Sequence, residues 1–287
     1  MANYAERLKD LLRTTVELNA SDLHLGVGRR PTVRVDGALI PLSKEDVLTA
    51  ECAEGLVSAL LTADQKQRVV KARQLDLAVA LEDVARFRTN VFFQSGHYSA
   101  ALRLIHGKIR TIEGLNLPPK LHEFTKLAQG LILAVGPAGH GKSTTLAALV
   151  DEINHTRTDH IITIEDPVEY MFTQDKCMIA QREVGSDVLS FHDGLRTVLR
   201  QDPDVIMIGE MRDATSIGTA MTAAETGHLV FSTLHTNSAV QTIDRIIDSF
   251  PPEGQGQAMS QLSGALVAIF SQRLLPDRKS TRLNSSH

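Results

Sequence analysis

The sequence predicts a mixed α/β protein built from two domains, and three observations carry that prediction. A chain of 287 residues is long for one domain and ordinary for two. In its second half, short apolar runs alternate with helical periodicity, the pattern of βαβ units and a mainly parallel sheet. In its first half, the strand signals are shorter, alternate in polarity and are bounded by turn residues, so a separate α+β unit of about a hundred residues comes first. The expected boundaries are residues 1–105 for the N-terminal domain, 106–118 for a linker, 119–276 for the core, and 277–287 for an atypical polar tail.

The first helix is expected from Tyr4 to Leu18, where Leu8, Leu11, Leu12 and Val16 share one side. Asp22–Leu25 and Pro31–Val35 read as strands, and Asp36-Gly37 behind the second is a strong hairpin-turn signal. Thr49–Leu61 reads as a helix and Thr62 begins another. Strands follow at Leu75–Leu81, Ala85–Phe93 and Ser99–Ile105. Arg86, Arg88 and Arg103 lie on these strands, Arg86 and Arg88 on one face. That face is either an exposed edge or a surface reaching a ligand held between domains. From His106 to Pro118 the pattern thins, with Gly107, Gly114 and Pro118 as punctuation.

In the second half, Leu131–Val135 is a pure strand run, and Leu146, Leu149, Val150 and Ile153 give the following helix an apolar face. Between them stands Gly136-Pro137-Ala138-Gly139-His140-Gly141-Lys142-Ser143-Thr144, which contains G-x-x-x-x-G-K-S. Glycines at these spacings let successive backbone N–H groups turn inward onto phosphate oxygens, Lys142 reaches the terminal phosphates, and the Ser143 hydroxyl ligates magnesium. The start of the next helix adds its positive end to the same anion site. An ordinary strand-to-helix turn is the plainer reading. It does not account for the three other apolar strands: Ile161–Ile164 ends in Glu165-Asp166, Val205–Ile208 in Gly209-Glu210, and Leu229–Ser232 in Thr233-Leu234-His235. Ligands bind at the carboxyl ends of parallel strands, so these termini are expected to gather around one nucleotide.

Glu210 is the first choice for the base that polarises the attacking water, and it can also reach magnesium through water. Glu165 is the second acid. His235, at the carboxyl end of its strand, reads as a phosphate sensor. His228, at the other end, reads as structural or as a subunit contact, because an odd separation puts the two on opposite faces of an unbroken strand. Arg212 and its neighbours Arg182, Arg196 and Arg200 are either solvated or able to act on another subunit's phosphate. Thirty basic residues against thirty-four acidic ones give no overall footprint for nucleic acid. No apolar segment has the length of a membrane-spanning helix and no signal peptide is visible, so a cytoplasmic protein is expected. Cys52 and Cys177 are too few for a disulfide framework or a four-cysteine metal site.

Four stretches resemble, in order, the boxes of the secretion ATPase superfamily: Gly136–Ser143 its Walker A box, Ile162–Glu169 its aspartate box, Leu199–Arg212 its Walker B region and Ala223–Thr236 its histidine box. Ala20–Leu25, Arg86–Asn90, Gln181–Val184 and Thr242–Ile247 are similar to the type IV pilus retraction ATPases within it, the PilT/PilU family. The resemblance covers about Tyr4 to Pro276. It implies a PAS-like N-terminal domain and a RecA-like P-loop domain. It implies a homohexamer that binds ATP and magnesium and hydrolyses ATP to drive pilus retraction. Carried onto this chain, Glu210 and Glu165 become catalytic acids, His228 and His235 the histidine-box residues, and residues 136–144 with Arg86, Arg88 and Arg103 the nucleotide contacts. The implied partners are an inner-membrane pilus platform protein and paralogous pilus ATPases, with peripheral contact to the membrane machinery only and no nucleic acid. The absence of a four-cysteine motif favours this branch over assembly ATPases. The tail from Asp277 departs from the helical region with which the family continues. The alternatives are a type II secretion or conjugation ATPase, a nucleotide-binding accessory subunit with little turnover, and a DNA-handling RecA-like protein.

Overall fold

Asn3 caps the first helix, α1 (Tyr4–Glu17), by accepting the Glu6 N–H, and Leu8, Leu11 and Leu12 are buried at helical spacing. In the computed structural model, which describes residues 3–81, 84–105 and 109–275, the chain divides into two compact units, Met1–Gly107 and Lys108–His287. The expected tail and residues 106–108 of the expected linker lie outside the described residues.

The first unit holds an antiparallel sheet of β1 (Asp22–Leu25), β2 (Thr32–Val35), β3 (Ala38–Pro41), β4 (Gln74–Leu81), β5 (Ala85–Gln94) and β6 (His97–Ile105), in the order β3-β2-β1-β6-β5-β4. Asp36 and Gly37 both take positive φ, 48° and 82°, as a type I′ turn requires, and they join β2 to β3. Ser95 and Gly96 do the same between β5 and β6, at 52° and 82°. Two helices, α2 (Ala50–Ala59) and α3 (Ala63–Ala72), start on Thr49 and Thr62, the second with a full capping box to Gln65. Leu56, Val57 and Val69 from these helices share one core with Leu23, Phe87 and Leu102 of the sheet.

The second unit is built on a wholly parallel sheet. Its strands are β7 (Gly130–Val135), β8 (His160–Glu165), β9 (Met178–Glu183), β10 (Val205–Ile208), β11 (Leu229–Leu234) and β12 (Leu266–Ser271), ordered β12-β7-β11-β10-β8-β9. β7, β10 and β11 are buried along their whole length, as strands covered on both faces must be; β7 and β10 read as continuous apolar runs for that reason, while β11 carries Ser232 and Thr233, whose hydroxyls donate to the carbonyls of Ile208 and Gly209. Leu131 and Leu133 face a core shared with α5 (Phe191–Val198), α6 (Ala214–Glu225) and α8 (Pro252–Ala265). Ile132 and Ala134 point the other way, onto α4 (Lys142–Thr156) and a 3-10 segment, Pro119–Lys126. The remaining helix, α7 (Ala239–Asp248), buries Ile246 and Ile247.

The α/β expectation is borne out in both halves, an antiparallel unit followed by a parallel one. Two strands of the parallel sheet, β9 and β12, go beyond the four read from the sequence. Residues 109–118, expected as linker, pack on the second unit: Ile112 is 1% exposed, and Ile109, Leu115 and Leu117 lie against the same core. Glycines and prolines dominated the reading of that stretch, while its apolar residues decide its position.

Candidate functional site

The loop after β7 takes its form from three glycines in the left-handed region, Gly136, Gly139 and Gly141, with φ of 143°, 76° and 79°. At Gly136 the space is closed as well, since a Cβ there would lie 2.3 Å from the carbonyl oxygen of Gln272. Beyond the loop, the first N–H groups of α4, from Lys142 to Thr144, have no carbonyl four residues back inside the helix and add to its positive end. Lys142 is 6% exposed, and its ammonium donates to the carbonyls of Gly136 at 2.8 Å and Pro137 at 2.9 Å. Burial pushes its pKa below the usual lysine range, against the opposing pull of Glu210 and Glu169.

Parallel pairing aligns the carboxyl ends of β7, β11, β10 and β8 along one sheet edge. There the loop and the strand ends border a cleft of about 460 Å³. β11 lies between β7 and β10, and so His235 at its end stands between Lys142 and Glu210. His235 Nδ1 is 3.3 Å from Lys142 Nζ, and its Nε2 is 3.4 Å from Glu210 Oε1. With the proton on Nε2, the ring accepts from the lysine and faces the carboxylate with a donor. Arg212 donates through Nε to Glu210 Oε2 at 3.0 Å, and its Nη1 is 3.9 Å from Asp166 Oδ2.

Glu165 is the more deeply held acid, 6% exposed. Desolvation raises its pKa from 4.5 to about 7, against hydrogen bonds from the Thr163 hydroxyl, the Glu169 N–H and the Gln181 amide. The sequence reading missed these supporting groups. Thr163 was detectable, because side chains two apart on a strand share a face. Gln181 was not, because it arrives on β9, a strand the sequence did not disclose. Its Nε2 also donates to the Tyr170 carbonyl at 2.7 Å, and its Oε1 accepts the Phe172 N–H, fixing the chain that borders the cleft. The Tyr170 hydroxyl in turn meets Thr144 Oγ1 at 2.7 Å, so the Thr144 side chain is engaged there while its backbone N–H belongs to the helix start.

Of the expected site residues, Gly136 through Thr144, Glu165, Glu210 and His235 surround or support this cleft. His228 does not join them within one chain. It precedes β11 at the opposite end of the sheet, and its Nδ1 donates to the Ala223 carbonyl at 2.9 Å, closing the end of α6. The length of β11, about 3.3 Å per residue, separates it from His235, so strand end rather than strand face is what distinguishes the two. Arg86, Arg88 and Arg103 belong to the first unit. Arg88 and Arg103 are paired across β5 and β6, and Arg103 Nε donates to Asp22 Oδ1 at 2.9 Å, an acid 7% exposed that Arg34 also approaches at 3.9 Å.

The donor set suits a hard divalent cation. Hydroxyl and carboxylate oxygens from Ser143 and Glu210 line the cleft. That matches magnesium, which is held by one or two protein oxygens plus phosphate and water rather than by a full protein cage.

A family model described as "Type II/IV secretion system protein" matches residues 2–284. The chain is 42% identical over 273 residues to a Pseudomonas aeruginosa protein described as a type IV pilus retractation ATPase, PilT, covering 93% of this chain and 78% of that one. A twitching motility protein of Neisseria gonorrhoeae is 40% identical over 257 residues, covering 90% and 68%. Among solved structures, the pilus retraction motor PilT with bound ADP superposes with a TM-score of 0.90 at 46% identity, covering 93% of this chain and 78% of that chain.

Proposed function

We propose, since this chain belongs to the type II/IV secretion system protein family, that its ATP hydrolysis powers retraction of a type IV pilus, as the names of its relatives describe for them. The chain is an ATP-hydrolysing enzyme of the secretion ATPase kind. The observation that carries the site assignment is the file Lys142, His235, Glu210, each within 3.4 Å of the next, across the mouth of a glycine loop.

In this reading, the loop N–H groups and the start of α4 bind the phosphates, and the Lys142 ammonium exchanges the carbonyls of Gly136 and Pro137 for phosphate oxygens. Ser143 would hold magnesium, with Glu210 as a further oxygen donor toward it. When bound, magnesium neutralises charge on the terminal phosphates. Glu210 orients the attacking water and takes up its proton, and Arg212 and His235 fix the direction of its carboxylate. Glu165, buried and retained by Thr163 and Gln181, is the second acid beside that water. His235 reports the terminal phosphate to the strand between the two acids and the loop. The active form is a homohexamer in which Arg86, Arg88 and Arg103 reach nucleotide on a neighbouring subunit. His228 faces a subunit contact, and the assembly works against an inner-membrane pilus platform protein.

The test is steady-state ATP turnover with calorimetric ATP binding. Glu210→Gln is expected to lose at least about a hundredfold in kcat while keeping its affinity for ATP within a few-fold, because the base acts in the transition state rather than in binding. Equal turnover in the two proteins would remove Glu210 from the reaction.

A further inference from the structure

Residue 272 spans the glycine loop from its entry to its exit. The Gln272 N–H donates to the carbonyl of Val135, the last residue before the loop, at 2.8 Å. Its side-chain Oε1 accepts the hydroxyl of Thr145, in the first turn of α4 beyond the loop, at 2.7 Å. Its carbonyl occupies the place a Cβ on Gly136 would take, and its Nε2 comes within 3.0 Å of the place a Cβ on Gly141 would take. Two residues on, the Leu274 N–H donates to His140 Nδ1 at 2.9 Å, so the loop also holds the chain that braces it. None of these groups contributes to the chemistry described above, yet together they tie both ends and the middle of the loop to the segment leaving β12.

We propose that Gln272 is a positioning residue for the phosphate loop, fixing β7 and the start of α4 at the separation that phosphate binding needs. The inference rests on the reading of residues 136–143 as the phosphate loop. A loop of three left-handed glycines has many alternative conformations, and glycine-rich backbone pays the largest entropy on ordering. If the brace is removed, the binding-competent form is a smaller fraction of the population, and the apparent affinity falls by that fraction. Once ATP is bound the geometry is restored, so turnover at saturation changes little. The signature is therefore a split between KM and kcat.

The experiment measures ATP binding by calorimetry and steady-state turnover on the full chain, with thermal midpoints as a control for folding. Gln272→Ala is expected to raise Kd and KM for ATP about tenfold and to leave kcat within about twofold. Gln272→Glu keeps the acceptor for the Thr145 hydroxyl and the backbone bond to Val135, and lies closer to wild type. Thr145→Val removes the same bond from its other end, and the double variant with Gln272→Ala is expected to be no weaker than Gln272→Ala alone. Unchanged KM in a folded Gln272→Ala chain overturns the inference, as does a fall in kcat at constant KM. If Gln272→Ala fails to fold, Thr145→Val and Gln272→Glu decide by the same readout. A wild-type chain that binds no ATP overturns the phosphate-loop reading and the inference with it. A wild-type chain that binds ATP no better than folded Gln272→Ala overturns the inference alone.

Discussion

Glu165 shows how burial sets the behaviour of a single side chain. Its carboxyl titrates near 4.5 in the unfolded chain and at about 7 in the fold, because desolvation outweighs the hydrogen bonds from Thr163, Glu169 and Gln181. Between those values the folded chain holds a proton that the unfolded chain has released. Stability from this group is therefore present on the acid side, falls as pH rises through that window, and is level above it. Relative to Glu165→Gln, the wild type is expected to lose on the order of 2 kcal/mol of unfolding free energy between about pH 5 and about pH 8. Denaturant titrations of both proteins at the two pH values measure it, and a difference that stays constant with pH would place the carboxyl nearer to water than its 6% exposure indicates. Lys142 is shifted by the same force in the opposite chemical sense, since burial disfavours its ammonium while Glu210 and Glu169 favour it.

The strands were legible where burial on both faces left no choice of residue. Val205–Ile208 is apolar without a break, Leu229–Phe231 is apolar up to Ser232 and Thr233, and these polar ends mark where the sheet stops. β9 was not legible, because its second half, Gln181-Arg182-Glu183, is polar, and Gln181 and Glu183 serve Glu165 and the neighbouring backbone instead of a core. β12 was hidden for a related reason: Leu266–Ser271 is only partly covered and runs directly out of α8 with no turn residue between. The loop glycines announced a phosphate site from sequence alone, while the brace from Gln272 depended on a pairing between the end of the chain and β7 that spacing does not reveal. Burial also sets the cost of damaging an element. Ile206 in β10 is 1% exposed within the core that includes Ile162 and Val230. Ile206→Ala is expected to lower unfolding free energy by about 2–5 kcal/mol in denaturant titration, the range for deleting a buried branched side chain. A loss under about 1 kcal/mol would mean that the sheet closes around the gap.

At the scale of the whole molecule, the two units carry different parts of the proposed machinery, the cleft in the second and the paired arginines Arg88 and Arg103 in the first. If those arginines act on a neighbour's nucleotide, two defective chains should repair one another. Arg88→Ala and Lys142→Ala proteins are each expected to turn over ATP at well under about a tenth of the wild-type rate. Mixed and allowed to exchange subunits, they are expected to recover measurable turnover, because some boundaries then pair an intact loop with an intact arginine. No recovery, with exchange shown by labelled subunits, would confine Arg88 to its own chain. The strand order has a further consequence for biosynthesis. β7 is flanked by β11 and β12, the last two strands described, and among the described residues no earlier strand pairs with it. A chain emerging from the ribosome therefore carries the phosphate loop on a strand with two open edges until β11 and then β12 are released. The first unit is complete long before that point. Premature termination before Leu266 would leave β7 with one bare apolar edge, a template for pairing with other chains, and no Gln272 against the loop.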